Sequence, residues 1–369
     1  MISPEDFFKE LTRFNVSFFT GIPDSLLSSF CAYIDDHLPE KNHIIGSNEG
    51  GCVSLAAGHY LSTGKIPLVY LQNSGLGNIV NPLTSLIDKE VYSIPMLLLI
   101  GYRGRPGIPD EPQHEKMGRI TLSLLDCLEI PYAILKKRDD PVPILKKAFH
   151  LMKQKKVPFA LVVEKGTFSF YESNKKYKNA FNLVRKDALK YCLENMANDS
   201  VIVSTTGHLS RELYQYRPKG EKDFKVIGAM GHANQIAMGI AQNIKRLVFC
   251  FDGDGASLMH LGNWAICGQK AEGHFKHVLF NNGVHGSVGG QKTVGHEVDF
   301  LTLAKGCGYK SYFKVSSMED LKRVWGGFQE NPGPSFLEIL TNTEVEKNLP
   351  RPKETPQKSK GMFMDFLSE

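Results

Sequence analysis

Leu247-Val248-Phe249-Cys250-Phe251-Asp252-Gly253-Asp254-Gly255 is followed, after residues 256–280, by Asn281-Asn282, which closes another apolar run, His277-Val278-Leu279-Phe280. Both runs read as buried strands, because each is short, continuously apolar and bounded by turn residues. Two strand ends of one parallel sheet then present a carboxylate and a carboxamide on the same edge, which is where open α/β sheets bind ligands. A hard cation such as Mg²⁺ takes oxygen ligands in octahedral geometry and often completes its shell with phosphate oxygens. Asp254 and the amide oxygen of Asn282 suit that task, and Gly253 and Gly255 let the backbone approach a diphosphate closely. The plainer alternative is an Asp-Gly turn beside a chance pair of asparagines.

Working outward, strand-like and helix-like stretches alternate along the whole chain, the pattern of an α/β fold with mostly parallel sheets. In the first half the spacing predicts strands near Phe18-Phe19, His43–Ile45, Leu68–Leu71, Met96–Ile100 and Phe159–Val163. In the second half it predicts them at Val201–Ser204, Val226-Ile227, Leu247–Phe251, His277–Phe280 and Ser335–Leu340. Residues 1–165 and 185–345 thus form two Rossmann-like halves of ordinary domain size. A polar segment, 166–184, links them, and a Pro- and Lys-rich tail, 346–369, ends in Phe363-Met364-Asp365-Phe366-Leu367. That apolar finish predicts docking on a surface.

Composition excludes several classes. With 42% hydrophobic and 22% charged residues over 369 positions, the chain is a soluble globular type rather than a disordered one. A net charge of +5 is mild and lacks a basic stripe with interleaved aromatics, so nucleic acid is excluded as an expected partner. No apolar run approaches the ~20 residues needed to cross a bilayer, so no membrane partner is expected. The seven cysteines are dispersed and never at metal-binding spacing from one another, which points to a reducing, cytoplasmic setting without disulfides or zinc. Ser3-Pro4-Glu5-Asp6 reads as a helix start, not a signal peptide.

Five further stretches carry chemistry. Ser47-Asn48-Glu49-Gly50-Gly51 opens a helix-like segment, Cys52 to Leu61, and puts Glu49 at a strand end. An acid in the first helical turn also serves simply to complement the dipole. Gly228-Ala229-Met230-Gly231-His232-Ala233 runs from a strand into a helix; Met230 there reads equally as core filler. Phe19-Thr20-Gly21-Ile22-Pro23-Asp24-Ser25 follows the first helix, and Asn73-Ser74-Gly75-Leu76-Gly77-Asn78 precedes Asn81-Pro82-Leu83. Gly101-Tyr102-Arg103-Gly104 leads into Asp110-Glu111-Pro112-Gln113-His114. Polar groups clustered in Gly/Pro-framed loops favour function, although Ser25, Arg103, Arg105, Gln113 and His114 also read as ordinary loop residues.

Taken together, these motifs resemble the thiamine-diphosphate (ThDP) enzymes and, more narrowly, the phosphonopyruvate decarboxylase family, with sulfopyruvate decarboxylases as near relatives. The likeness extends over nearly the whole chain; the third domain that larger 2-oxoacid decarboxylases carry has no room here. The resemblance implies a pyrimidine-type domain followed by a diphosphate-type domain, with ThDP and Mg²⁺ as cofactors. It implies decarboxylation of 3-phosphonopyruvate to phosphonoacetaldehyde and CO₂, a step in phosphonate biosynthesis. By motif position, Glu49 activates the pyrimidine and Asp254, Asn282 and the Val284 carbonyl hold Mg²⁺. Gly253, Gly255 and Ala256 would meet the diphosphate, Met230 would wedge the two cofactor rings, and the Gly228 carbonyl would accept from the amino group. Asp24, Ser25, Asn73, Ser74, Arg103, Gln113 and His114 are the implied substrate residues, with His114 in proton transfer; Arg105 is a second candidate cation.

The loop Gly283–Gly290 reads as a lid, His285 is its weakest site candidate, and His232 stays undecided between structure and site. The resemblance also implies a homo-oligomer, at least a dimer, with active sites shared between copies. Sulfopyruvate or another 2-oxoacid is the rival substrate, and a ThDP-binding subunit without catalysis is a more distant rival. An NAD-type oxidoreductase would want G-x-G-x-x-G after the first strand, and Gly21-Ile22-Pro23-Asp24 is not that.

Overall fold

The alternation of buried and amphipathic runs becomes two six-stranded parallel sheets in a computed structural model that describes residues 1–346 and 348–369. The chain divides into two units, Met1–Lys176 and Tyr177–Glu369. The first runs α1 (Pro4–Arg13), β1 (Phe19–Gly21), α2 (Ser28–His37), β2 (His43–Ile45), α3 (Glu49–Thr63), β3 (Leu68–Gln72) and α4 (Leu76–Ser85). It continues with β4 (Leu97–Gly101), α5 (Pro112–Cys127), β5 (Tyr132–Leu135), α6 (Pro141–Lys155) and β6 (Phe159–Val163). The second runs α7 (Arg185–Glu194), β7 (Val201–Ser204), α8 (His208–Tyr216), β8 (Asp223–Lys225), α9 (Ala233–Ala241), β9 (Val248–Gly253) and α10 (Asp254–Met259). After these come α11 (Asn263–Lys270), β10 (Phe275–Asn281), α12 (Phe300–Cys307), β11 (Ser311–Val315), α13 (Met318–Glu330), β12 (Ser335–Leu340) and α14 (Pro356–Ser368).

Strand order is β2-β1-β3-β4-β6-β5 in the first sheet and β8-β7-β9-β10-β12-β11 in the second, the same winding twice. Interior strands β3, β4, β6, β9, β10 and β12 are buried on both faces, as continuous apolar runs require in a sheet covered by helices on each side. In the second unit those faces are separate cores, one around Phe249, Trp325 and Phe328, the other around Trp264, Phe275 and Phe336. Capping follows the local sequence. Ser3 accepts from the Asp6 N–H at the start of α1, and Asn48 accepts from the Gly51 N–H at 2.8 Å at the start of α3.

Three strands depart from expectation, and all lie on a sheet edge. β5 and β11 were not expected from the sequence, and the predicted strand at Val226-Ile227 lies three residues earlier, as β8. These edge strands are short and half-exposed, and β11 alternates in exposure rather than writing a continuous apolar run. The polar segment after residue 165 is not a free linker. Phe168 is buried against Phe7 and Phe30, and Tyr171 and Ser173 donate to the Asp36 carboxylate at 2.9 and 2.8 Å. The tail docks as α14: Phe363 is buried beside Phe224, and Arg246 donates to the Phe366 carbonyl at 2.8 Å. Among the described residues no helix is long and apolar enough to cross a membrane.

Candidate functional site

Because both sheets are parallel, every strand delivers its following loop to the same edge, and the candidate residues hang there in matching order. In the first unit Asp24 follows β1, Glu49 follows β2, Asn73 follows β3 and Arg103 follows β4. In the second, Met230 follows β8, Asp254 follows β9 and Asn282 follows β10.

Glu49 is the first residue of α3 and is buried at 6% exposure. Burial raises its pKa, and the Asn78 amide, donating to Oε2 at 2.7 Å, opposes that rise. Its room is made by Gly75, where a Cβ would stand 2.4 Å from Oε1. A buried carboxyl with a raised pKa beside an uncluttered backbone is suited to holding and passing a proton.

Beside it lies a compact polar cluster. Arg103 donates through Nε to Asp110 Oδ2 at 2.8 Å and through Nη2 to Oδ1, a two-pronged pair, while Nη1 donates to Ser25 Oγ at 2.9 Å. Asp110 also accepts from the Gly104 and Glu111 N–H groups, each at 2.8 Å, and the Arg103 hydrogen bonds bring its pKa down to about 2. Asp24 is wholly buried and accepts from the Leu26 N–H at 2.9 Å; its Oδ1 has no hydrogen-bond partner, and burial pushes its pKa up to about 6. His114, on the first turn of α5 beside Gln113, is pushed toward the neutral form by burial and then by Arg103, and its Nδ1 is buried without a hydrogen bond.

Two expected substrate residues sit differently. Asn73 is wholly buried, and its amide is fully committed: it donates to the Arg103 carbonyl at 2.8 Å and to Thr121 Oγ1 at 2.9 Å and accepts from the Arg103 N–H at 3.1 Å. It therefore fixes the Arg103 loop, with both amide hydrogens committed to that task. Arg105 is paired with Glu164 at 2.8 Å. Ser74 is exposed and accepts from the Gln72 amide.

In the second unit Asp254 is buried at 2% exposure at the end of β9. Its carboxylate accepts from the Thr293 hydroxyl, yet burial dominates and lifts its pKa to about 6. Among the described residues no basic side chain is paired with it. Asn282, also buried, accepts through Oδ1 from the Val284 N–H at 3.2 Å, while the Val284 carbonyl accepts from the Gly286 N–H at 2.9 Å. A buried carboxylate with no protein cation, next to an amide oxygen and a carbonyl, is an oxygen-only donor set fitted to a hard divalent ion. Nothing crowds the Cβ direction of Gly253. Asp252 braces the turn from below, accepting from the Gly253 N–H at 2.9 Å and from Ser257 Oγ at 2.8 Å.

Met230 is half-buried and stands outside both cores, so it is not core filler. Its neighbours Ala229 (φ 48°) and Gly231 (φ 85°) are left-handed, and His232 Nδ1 lies 3.1 Å from the carbonyls of both Ala229 and Met230. The Gly231 backbone lies against Ala256 and His260 of the clamp segment. His232 is thus a brace for this turn. The loop after Asn282 is not open: the His285 N–H donates to the Gln291 carbonyl at 2.8 Å and the Thr293 N–H to Gly283 at 2.9 Å, so 283–293 folds back as a hairpin. His285 packs its ring on Gly255, and burial pushes its pKa down to about 4.

Asn78, Asp110, Thr121, Thr293 and Gly295 belong to the site but were not singled out in the sequence. Each meets its partner only after folding; Asn78 and Asp110 alone carried a signal, lying within stretches already marked.

Residues 4–122 match the family model for the N-terminal TPP binding domain of thiamine pyrophosphate enzymes, and residues 205–339 match that for the C-terminal TPP binding domain. These are the two cofactor-binding halves of that enzyme class. Phosphonopyruvate decarboxylase of Streptomyces viridochromogenes is 32% identical to this chain, over all of the chain and 96% of that protein. Phosphonopyruvate decarboxylase of Streptomyces hygroscopicus is 31% identical over all of the chain and 95% of that protein. Sulfopyruvate decarboxylase of Methanosarcina acetivorans is 24% identical over all of the chain and 98% of that protein. The chain belongs to the phosphonopyruvate decarboxylase family of thiamine pyrophosphate enzymes.

Proposed function

We propose that this chain decarboxylates 3-phosphonopyruvate to phosphonoacetaldehyde and CO₂ with thiamine diphosphate and Mg²⁺, a step of phosphonate biosynthesis. The observation that carries the substrate is 32% identity, end to end, with a phosphonopyruvate decarboxylase, against 24% with a sulfopyruvate decarboxylase.

When bound, thiamine diphosphate supplies the carbon nucleophile and the electron sink for CO₂ loss. Glu49, its pKa raised by burial, holds a proton for the pyrimidine ring. Asp254, the Asn282 amide oxygen and the Val284 carbonyl would hold Mg²⁺, Gly253, Gly255 and Ala256 would face the diphosphate, the Gly228 carbonyl would accept from the amino group, and Met230 would pack against the cofactor. Ser25, Arg103 and Gln113 orient the anionic substrate, while His114, neutral at pH 7, accepts or returns a proton. Asn73 and Asp110 position Arg103 rather than touch substrate.

Glu49 belongs to the first unit and the Asp254–Asn282 clamp to the second, a division that supports a homo-oligomer whose sites are shared between copies. Mixing inactive Glu49→Gln and Asp254→Ala subunits should restore partial activity; none after verified exchange would refute sharing. Seven free thiols support a reducing, cytoplasmic location.

The test of substrate is direct. Purified protein with ThDP and Mg²⁺ is offered phosphonopyruvate, sulfopyruvate and pyruvate in parallel, and kcat/KM should favour phosphonopyruvate by ~100-fold or more. Equal turnover of sulfopyruvate, or none of phosphonopyruvate, overturns the assignment.

A further inference from the structure

β12 carries a glutamate where a parallel sheet ordinarily carries an aliphatic residue. Glu338 is wholly buried, opposite Leu279 of β10 on one side and Lys314 of β11 on the other. Burying a carboxylate costs more than packing a Leu or Met of similar volume, and such replacements are often neutral or stabilising. The position therefore calls for a role other than holding the sheet together.

The contacts of Glu338 lead from β11 toward the clamp. Lys314 Nζ, on a side chain 40% exposed, lies 3.1 Å from Glu338 Oε2. Glu338 Oε1 accepts from the Asn281 amide at 2.8 Å. The same amide nitrogen donates its second hydrogen to the Gly295 carbonyl at 2.7 Å, and Asn281 Oδ1 accepts from the Gly283 N–H at 3.2 Å. Gly295 N–H donates to Thr293 Oγ1 at 3.0 Å, and the Thr293 hydroxyl donates to Asp254 Oδ2. Gly295 fits so closely that a Cβ would stand 2.6 Å from Asp254 Oδ2 and 2.8 Å from Asn281 Oδ1. Hydrogen bonds and one peptide segment thus lead from Glu338, which is ion-paired to Lys314, to the side chain of Asp254.

We infer that Glu338 is a positioning residue for the Asp254–Asn282 clamp: it fixes the rotamer of Asn281, which holds the 293–295 segment against Asp254 and so aims its carboxylate. The inference rests on reading Asp254 as the metal ligand. Thr293, which donates to Asp254 directly, is the kind of partner that typically accounts for 10- to 100-fold in metal affinity, and Glu338 acts through it. A merely structural Glu338 would lose affinity only together with stability, whereas a positioning Glu338 separates the two.

The experiment measures ThDP affinity by calorimetric titration at fixed Mg²⁺, alongside thermal unfolding of each cofactor-free protein. Glu338→Leu should weaken ThDP binding ~10- to 100-fold with apo stability unchanged or raised. Glu338→Gln, which keeps the acceptor for Asn281, should bind within about threefold of wild type, an effect smaller than one lost hydrogen bond. Asn281→Leu breaks the chain one link further on and should match Glu338→Leu without adding to it, which carries the test if Glu338→Leu does not fold. Asp254→Ala separates the two readings. Wild-type affinity there means the clamp itself is misassigned; lost affinity there with wild-type binding in Glu338→Leu and Asn281→Leu overturns this inference and leaves the clamp standing.

Discussion

Asn78 in α4 donates to the Glu49 carboxylate at the head of α3 at 2.7 Å, and that bond opposes a pKa rise caused by burial. The pair sets the balance between the carboxylate and its protonated form. Asn78→Leu removes the opposing influence, so the limb of the pH–rate profile that reports Glu49 should move to higher pH, by about one unit for a hydrogen bond to a charged group. Profiles measured between pH 5 and 9 check this, and an unmoved limb would show that Asn78 only packs. In the same place Gly75→Ala, by displacing Oε1, should lower kcat on the order of 100-fold while the fold persists.

Asp24 makes stability depend on pH in the opposite sense to a salt-bridged acid. Its pKa in the fold is about 6, above the unfolded value near 3.9, so the fold favours its neutral form. That contribution is fully present below about pH 4 and is lost as pH rises through 6, ~3 kcal/mol in all. Asp24→Asn cannot ionise. Denaturant unfolding of wild type and variant at pH 4.5 and 7.5 should show the variant gaining relative stability at the higher pH. A pH-independent difference would mean that Asp24 is ionised in the native protein throughout.

Arg103 presents a planar fork to Asp110 and a third donor to Ser25, a geometry that a lysine cannot reproduce. Arg103→Lys should raise KM for the anionic oxoacid ~10-fold or more while lowering kcat less. Steady-state kinetics with phosphonopyruvate decide it. An equal loss in kcat at unchanged KM would move Arg103 from binding to chemistry.

Phe363 anchors α14 on the core of the second unit at 4% exposure. Phe363→Ala should cost about 3 kcal/mol, in the range for a buried aromatic truncated to alanine. Hydrogen exchange followed by peptide should localise the loss to residues 177–369, with the first unit's peptides unchanged. Uniform loosening of both units would contradict independent cores.

The interior strands were legible because a strand buried on both faces writes a continuous apolar run, as Phe159–Val163 does. The edge strand β11 carries no such run, and β5, though apolar as Tyr132–Leu135, is short, half-exposed and preceded by Pro131; both escaped notice. At the site, residues announced by a local motif were legible: Glu49 behind its Gly pair, and Asp254 and Asn282 at strand ends. Thr293 and Glu338 were not, because their partners lie 39 and 57 positions away and only the fold introduces them. Asn73 was legible as important but not in its role, since no sequence pattern reveals that both hydrogens of an amide are already committed. The expected lid reads as glycine-rich and open in sequence, but its backbone closes into a hairpin.

The docking of α14 has a consequence for how the chain is made. The first unit has every residue of its core by Lys176 and can close while the remainder is still being synthesised. The second cannot, because the surface around Phe224 and Ala237 is completed by Phe363, near the far end of that unit. At a translation rate of roughly 5–20 residues per second, that face stays open to water for on the order of ten seconds or more. During that interval on the ribosome the chain is most exposed to aggregation and to capture by chaperones, well before any cofactor can bind.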